Sequence, residues 1–247
     1  MATELEGYTE PLRTIEVASD ESGTIAELLV QQGQVVTQGQ PIMRLNSQVH
    51  QAQLQIAKQQ MTAAGRLDAA RAELELTTQR VEKLQSLRLS GHARQSEIDR
   101  AAKELKVAQA NFQANTEELE TRRLEYERLA TQIGRRVIHS PIDGVVTELH
   151  KQPGEYVAPI SPEIVTLVQI DTLLATFAMI GPHAATLRQG QSIHVSMIES
   201  GQSVKGIVSY VAPVTDAESG TVLVKIRIEN TEGRYRSGAR CTIQIQD

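Results

Sequence analysis

The sequence contains one short motif twice, and the two copies lie far apart. Residues 19–36 read SDESGTIAELLVQQGQVV, and residues 140–157 read SPIDGVVTELHKQPGEYV. Seven of these eighteen positions are identical at an offset of 121 residues, among them a Glu-Leu pair and the glycines Gly33 and Gly154. Glycine supplies the turn conformations that other residues resist. Each copy is therefore predicted to form a strand, a turn, a second strand and another turn.

The duplicated motif resembles the two halves of a lipoyl/biotinyl carrier domain. In that domain the halves interlock as a flattened barrel, and a lysine at the turn between them carries the cofactor. Here the first half, residues 15–46, is separated from the second, residues 135–170, by about 90 residues. Because no short turn with a lysine joins the halves, no cofactor is expected. A biotinyl or lipoyl carrier stays an alternative, and a lysine adduct found by mass spectrometry would favour it.

The segment between the copies, residues 47–134, is predicted to be a long antiparallel coiled-coil hairpin. It contains no proline, and its second half holds an a/d pattern over five heptads. The a positions are Ile98, Leu105, Phe112, Leu119, Tyr126 and Ile133, and the d positions are Ala101, Ala108, Asn115, Arg122 and Leu129. In the first half, the pattern is Ala63, Leu67, Ala70, Leu74, Thr77, Val81 and Leu84. We expect two helices of about 40 residues, each roughly 60 Å long, wound left-handed.

The ends of these helices are marked by glycine. Gly91, in the turn Leu89–Ala93, is predicted to end the first helix in the left-handed conformation. Glu97 suits the first turn of the second helix, and Gly134 is predicted to end it. The a and d positions form the seam along which the two helices pack. On this seam, the polar residues Asn115 and Arg122 are expected to cost stability while fixing the register of the two helices.

From residue 171 to 247 the pattern changes to short strands separated by glycine-containing turns. The clearest strand is Thr221–Glu229, TVLVKIRIE, in which apolar and polar residues alternate. Five or six such strands predict a small closed barrel, and Cys241 is expected to be a buried structural residue in the last of them. Residues 1–14 are a lead-in. The predicted fold is α+β and elongated: a split lipoyl-like β-domain interrupted by the hairpin and followed by the antiparallel barrel.

Composition and motifs exclude several functions. The net charge of −5, without any Lys/Arg cluster, argues against nucleic-acid binding. No apolar run approaches the roughly 20 residues of a membrane span, and no signal peptide follows Met1, so the chain as written is expected to be soluble. No nucleophile triad, phosphate loop or paired-acid cleft emerges. The six histidines are scattered without ligand spacing. Neither an enzyme nor a metal site is expected.

Half-motif, hairpin, half-motif and barrel is the domain order of the membrane fusion proteins, the periplasmic adaptors of the hemolysin-D type. The chain resembles them from about Arg13 to Gln246, in residues 17–45 and 140–157 and in the barrel segments LRQGQSIHV, GIVSYVAPVTD and GRYRSGARCTIQI. The resemblance implies a non-enzymatic adaptor in the periplasm, attached to the inner membrane. It would join an inner-membrane transporter, ABC or proton-driven, to an outer-membrane tunnel protein, with several copies forming a funnel and the barrels facing the transporter.

The resemblance also implies a partner-binding site at the hairpin tip. The family's tip motif is an Arg, a Leu four residues later and a Ser seven residues after that. Aligned through Gly91, these positions fall on Lys83, Leu87 and Arg94. Leu87 agrees, Lys83 keeps the charge, and Arg94 replaces a hydroxyl with a long cation. With His92, these residues are the candidate site for docking a tunnel; the alternative is an ordinary solvated tip.

Two further expectations concern what the family usually carries. Members begin with a membrane helix or a lipid-modified cysteine, and many have a membrane-proximal β-domain. Only about a dozen residues precede Arg13 here, and Asp247 follows directly after the barrel. That domain and the anchor are therefore expected to be absent or removed. A coiled-coil scaffold that acts away from transport is a further alternative, since it needs the hairpin but not the barrel.

Overall fold

The computed structural model describes residues 2–246, which form two compact units. One unit comprises the residues up to Leu45 together with those from Val137 onward, and the other is Asn46–Arg136. The helices are α1 (Gln48–Thr62), α2 (Gly65–Leu89), α3 (Gln95–Arg135) and α4 (Gly181–Ala185). The strands are β1 (Ala2–Ala18), β2 (Gly23–Leu28), β3 (Val35–Val36), β4 (Pro41–Leu45), β5 (Val137–His139), β6 (Gly144–Leu149), β7 (Tyr156–Val157), β8 (Glu163–Ile180), β9 (Ser192–Met197), β10 (Ser203–Val211), β11 (Thr221–Glu229) and β12 (Arg240–Gln246).

Six strands close into an antiparallel barrel. Their order is β1-β12-β9-β10-β11-β8, and β8 pairs back with β1 to complete the circle. Inward-facing residues of β8 and β11, such as Phe177 and Ile226, are fully buried in its core. Strand β1 of this barrel contains residues that the sequence predicts to be a lead-in. Tyr8 of β1 pairs with Thr176, and Thr3 pairs with Ile245. Residues 2–11 thus belong to the barrel.

The two half-motifs interlock in a second β-structure. Strand β3 of the first half pairs with β6 of the second, and β2 of the first pairs with β7 of the second. The equivalent valines Val36 and Val157 are each 1% exposed in the shared core. Apolar residues from both halves fill this core because alternate residues of each strand face inward. The predicted combination of split lipoyl-like domain, helical hairpin and small barrel is confirmed.

Strands β1 and β8 run through both β-structures. Tyr8–Pro11 pair with β8 inside the barrel, and Arg13–Ala18 pair with the beginning of β8 in the split domain. The register shifts between Pro11 and Arg13, as it does at a β-bulge, where the strand bends and twists more strongly. One continuous pair of strands therefore serves two cores.

The long helix α3 follows the predicted seam. Ala101, Ala108 and Leu129 are buried, and the other eight seam residues, Asn115 and Arg122 among them, are half-buried. Across the seam, Arg80 of α2 and Glu104 of α3 form an ion pair at 3.0 Å. The pattern of small and apolar residues thus packs α3 against both α1 and α2.

Two expectations about the helix ends are wrong. The first arm of the hairpin is two helices, because α1 ends at Thr62 and α2 begins at Gly65, and Ala63 is exposed instead of lying on the seam. The spacing of the buried and half-buried residues on the two helices, six residues from Met61 to Leu67 where a heptad needs seven, accounts for this break. Gly134 does not end α3, which continues to Arg135 and leads directly into β5. Glycine adopts helical angles as readily as left-handed ones, and no reversal of the chain requires the latter here.

Candidate functional site: the hairpin tip

Main-chain hydrogen bonds build the turn between α2 and α3. The N–H of His92 donates to the carbonyl of Leu87 at 2.8 Å, and the N–H of Gly91 donates to the carbonyl of Arg88 at 2.9 Å. Gly91 has a φ of +77°. These two bonds around a left-handed glycine are the Schellman motif, which satisfies the last carbonyls of a helix. The prediction that Gly91 ends the first helix in this conformation is confirmed.

Side chains close the turn on both sides. The carboxylate of Glu97, in the first turn of α3, accepts the N–H of Arg94 at 2.9 Å. The hydroxyl of Ser90 donates to the carbonyl of Leu87 at 2.9 Å. The first contact satisfies a backbone N–H that the start of a helix leaves unpaired, and the second is a further bond to the carbonyl that already accepts from His92. The turn is therefore held by its backbone and by these two side chains, and its larger side chains are left to face solvent.

The five predicted site residues lie at this end of the hairpin. Lys83 and Leu87 are four residues apart on α2, which places them on one face of the helix. Leu87 is 36% exposed, and Lys83, Gly91, His92 and Arg94 are also exposed. The structure joins Leu87 to His92 through the backbone hydrogen bond. It places Arg94 on the other side of the turn, as the N-cap residue that directly precedes α3.

Sequence reasoning missed the most exposed apolar residue of the tip. Leu89 is 92% exposed, although the motif alignment passes over it. The heptad pattern could have indicated this exposure, because Leu89 lies outside the a and d positions and therefore does not pack on the seam. Arg88, also outside the aligned positions, puts a cation in the last turn of α2, where it favours the negative end of the helix dipole.

The segment 83–94, KLQSLRLSGHAR, which we call the tip surface, has a distinct chemistry. It contains Lys83, Arg88 and Arg94 and no acidic residue, in a chain whose net charge is −5. Its two exposed leucines lie among these cations. Such a surface is suited to a partner that presents carboxylates around apolar pockets. It contains no arrangement of nucleophile, base and acid.

The described residues also lack the features of two other kinds of site. Between residues 2 and 246, no three His, Cys, Asp or Glu residues stand close enough to hold a metal ion. The helices of this part of the chain include none that is long and apolar enough to cross a membrane.

Two family models match the chain in sequence order. The first, described as the barrel-sandwich hybrid domain of YknX, matches residues 16–168. The second, described as a CusB-like β-barrel domain, matches residues 176–247. The first match covers the two half-motifs and the hairpin between them, and the second covers most of the barrel.

Relatives and solved structures agree with this division. Nodulation protein NolF of Rhizobium meliloti is 26% identical over 234 residues, which are 94% of this chain and 60% of NolF. The cobalt-zinc-cadmium resistance protein CzcB of Cupriavidus metallidurans is 23% identical over 94% of this chain and 42% of CzcB. The crystal structure of MacA from Actinobacillus actinomycetemcomitans superposes with a TM-score of 0.83 at 21% identity, over 99% of this chain and 78% of that one. The chain spans less than two thirds of the length of either curated relative.

Proposed function

Because the chain belongs to the membrane fusion proteins, the periplasmic adaptor family, we propose that it links an inner-membrane transporter to an outer-membrane tunnel protein in an efflux or secretion complex. The adaptor works in the cell envelope, with several copies around one channel, and it converts no substrate. The names of two relatives support export: CzcB is a cobalt-zinc-cadmium resistance protein, and MacA of Yersinia pestis is a macrolide export protein. The transporter, ABC or proton-driven, is contacted by the barrel in this proposal.

The observation that carries the proposal is the tip surface. Leu87 and Leu89 are exposed at the end of the helical hairpin, on a turn that its own hydrogen bonds already order. A partner that binds there gives up little entropy for ordering the turn, so the apolar area buried contributes directly to affinity. Lys83, Arg88 and Arg94 add positive charge to the same short segment as the leucines. We propose that the tip docks onto a tunnel whose periplasmic end is acidic.

The experiment reverses two of these charges. Lys83→Glu/Arg94→Glu is expected to weaken tunnel binding at least tenfold and to reduce export, because both changes place like charges against the proposed acidic surface. Folding is expected to be unchanged, since both side chains are exposed. The measurement is co-purification of the tunnel with the full-length adaptor, together with export from cells that lack the native copy.

A matched control separates docking from net charge. Lys58→Glu/Lys106→Glu makes the same change of four charges at two exposed lysines of α1 and α3 that lie outside the tip surface. This variant is expected to retain the tunnel. Normal export and normal tunnel recovery by the Lys83→Glu/Arg94→Glu variant would show that the tip assignment is wrong.

A further inference from the structure

The first arm of the hairpin is interrupted, whereas the second arm is continuous. Between α1 and α2, Ala63 has a ψ of +80°, outside the helical range. The N–H of Ala63 bonds to the carbonyl of Gln60 at 3.3 Å, and the N–H of Ala64 bonds to that of Thr62 at 3.0 Å. These are shorter-range bonds than those of an α-helix. No proline lies in the segment 46–136 to force the interruption.

The spacing of the seam residues accounts for the break. On α1 the residues turned toward α3 are His50, Leu54, Ala57 and Met61, and on α2 they are Leu67, Ala70, Leu74, Thr77, Val81 and Leu84, all of them buried or half-buried. Each set alternates steps of three and four. From Met61 to the equivalent Leu67, however, is six residues, where a heptad needs seven. Each helical residue turns about 100°, so an unbroken helix would rotate one of the two sets away from α3. Ala63 and Ala64 lie outside the helices, and the non-helical ψ of Ala63 lets both sets pack.

Arg122 of α3 faces the interruption. Its Nη1 donates to the carbonyl of Gln60, in the last turn of α1, at 3.4 Å. Its Nη2 donates to Glu118, one turn earlier on α3. The same Glu118 oxygen lies 3.7 Å from Nη1 of Arg66, in the first turn of α2. A cation at the end of α1 also favours the negative end of that helix. Arg122 and its partner Glu118 together thus connect all three helices.

Packing around the interruption is loose. Between Ala57 and Ala70 of the first arm, and between Ala108 and Leu129 of α3, no side chain is fully buried. On the α1 side, an open groove of about 290 Å³ lies between α1 and α3 and includes the exposed Ile56. Asn115, the other polar seam residue, donates to the carbonyl of Asn111 in its own helix and not across the seam. Few apolar contacts therefore hold the two arms together here.

We propose that residues 62–65 are a joint at which the tip-bearing part of the first arm pivots, and that Arg122 is the positioning residue that limits its range. The missing seventh residue prevents a continuous helix, and the loose packing leaves room for bending. The guanidinium holds the end of α1 by one hydrogen bond, which can lengthen and re-form without exposing a core. This inference stands independently of the proposed docking function, because it concerns the hairpin alone.

Pulsed electron paramagnetic resonance tests the joint. Spin labels at Val49→Cys and Leu76→Cys, both 68% exposed, flank the break at about 40 Å along the arm. Labels at Val107→Cys and Leu124→Cys, 60% and 53% exposed, lie on unbroken α3 and serve as the control. The distance distribution of the first pair is expected to be at least twice as wide as that of the second. Equal widths would overturn the proposal.

Two variants test the seam spacing and the Arg122 hydrogen bonds separately. Insertion of one alanine between Ala63 and Ala64 restores the seven-residue spacing and is expected to narrow the distribution of the first label pair to that of the control pair. Arg122→Met, which keeps length but removes the hydrogen bonds, is expected to broaden it further. If the distance distribution stays the same in either variant, the proposal is contradicted. The Arg122→Met variant leaves the seam spacing intact, so it remains informative if the insertion disturbs folding. Free Cys241 is buried and is not expected to take a label.

Discussion

Gly33 and Gly154 make equivalent hydrogen bonds, each from its own half-motif to the other. The N–H of Gly33 donates to Val146 of the second half-motif at 2.8 Å, and the N–H of Gly154 donates to Ile25 of the first half-motif at 2.9 Å. Both glycines are left-handed, with φ of +84° and +90°. Since Val146 and Ile25 are themselves equivalent positions in the repeat, the two halves hold each other by a reciprocal exchange, which relates them by an approximate two-fold symmetry.

This reciprocity predicts equal costs for equivalent substitutions. Gly33→Ala and Gly154→Ala should each lower the free energy of unfolding by about 1–2 kcal/mol, because a left-handed backbone is strained for any residue with a Cβ. No atom lies within 4 Å of the Cβ position at either glycine, so crowding adds nothing. Urea denaturation measures the change. As the control, Gly134→Ala within α3 should raise helix stability by about 0.5–1 kcal/mol; a neutral result for either turn glycine would contradict the strain argument.

Substitution of Gly144 is expected to be destabilising for a different reason. A Cβ there would lie 2.6 Å from the carbonyl oxygen of Val168, a backbone atom of the neighbouring strand β8. Gly144→Ala should therefore destabilise the split domain by about 2–3 kcal/mol, since the strand must move to make room. The measurement is again the urea midpoint. A cost no greater than that of Gly33→Ala would mean that β8 yields easily at this position.

Alanine on the seam of α3 sets how closely the helices approach. Ala108 is 1% exposed, so Ala108→Leu should cost about 1–3 kcal/mol through overpacking. Ala110, two residues on and exposed, is the matched control: Ala110→Leu adds the same atoms outside the seam and should change stability by less than about 0.5 kcal/mol. Thermal unfolding followed by circular dichroism at 222 nm distinguishes them. Equal effects would show that the helices are not in close contact at this level.

The thiol of Cys241 should be unreactive in the folded protein. Burial raises its pKa to about 11, and only the thiolate attacks alkylating reagents. Labelling with iodoacetamide at pH 8 should therefore be at least tenfold slower than for an exposed cysteine at Ser90→Cys. The sign of the shift also means that the thiol favours folding below the pKa of the unfolded chain, near 9, and that this contribution is lost as the pH rises toward 11. Rapid native-state labelling would place Cys241 outside the core.

The sequence patterns predicted this fold well where the signal is periodic. The a/d positions of α3 could be read residue by residue, because a coiled coil repeats one local contact many times. The half-motifs could be matched because glycines such as Gly33 and Gly154 keep their spacing. In both cases the pattern and the contacts it makes share one period.

Features that depend on a missing residue or a distant partner were not predicted. The six-residue step from Met61 to Leu67 is invisible unless both sets of seam residues are already known. Gly134 was expected to end a helix because glycine permits a left-handed turn without requiring one. The pairing of Tyr8 with Thr176 joins segments far apart in sequence, and no local pattern announces it. At the tip, Leu89 was overlooked because alignment to a motif directs attention to the aligned positions alone.

The closure of the barrel has a consequence for how the chain is made. Because β1 pairs with β12, down to Ala2 with Gln246, β1 must wait for a partner strand that leaves the ribosome much later. The helices α2 and α3, whose partners are neighbours in sequence, can associate while synthesis continues. Until β12 emerges, β1 exposes an unpaired edge, which can pair with other chains. A cell that makes this protein therefore needs to keep β1 from aggregating while all the residues up to β12 are translated.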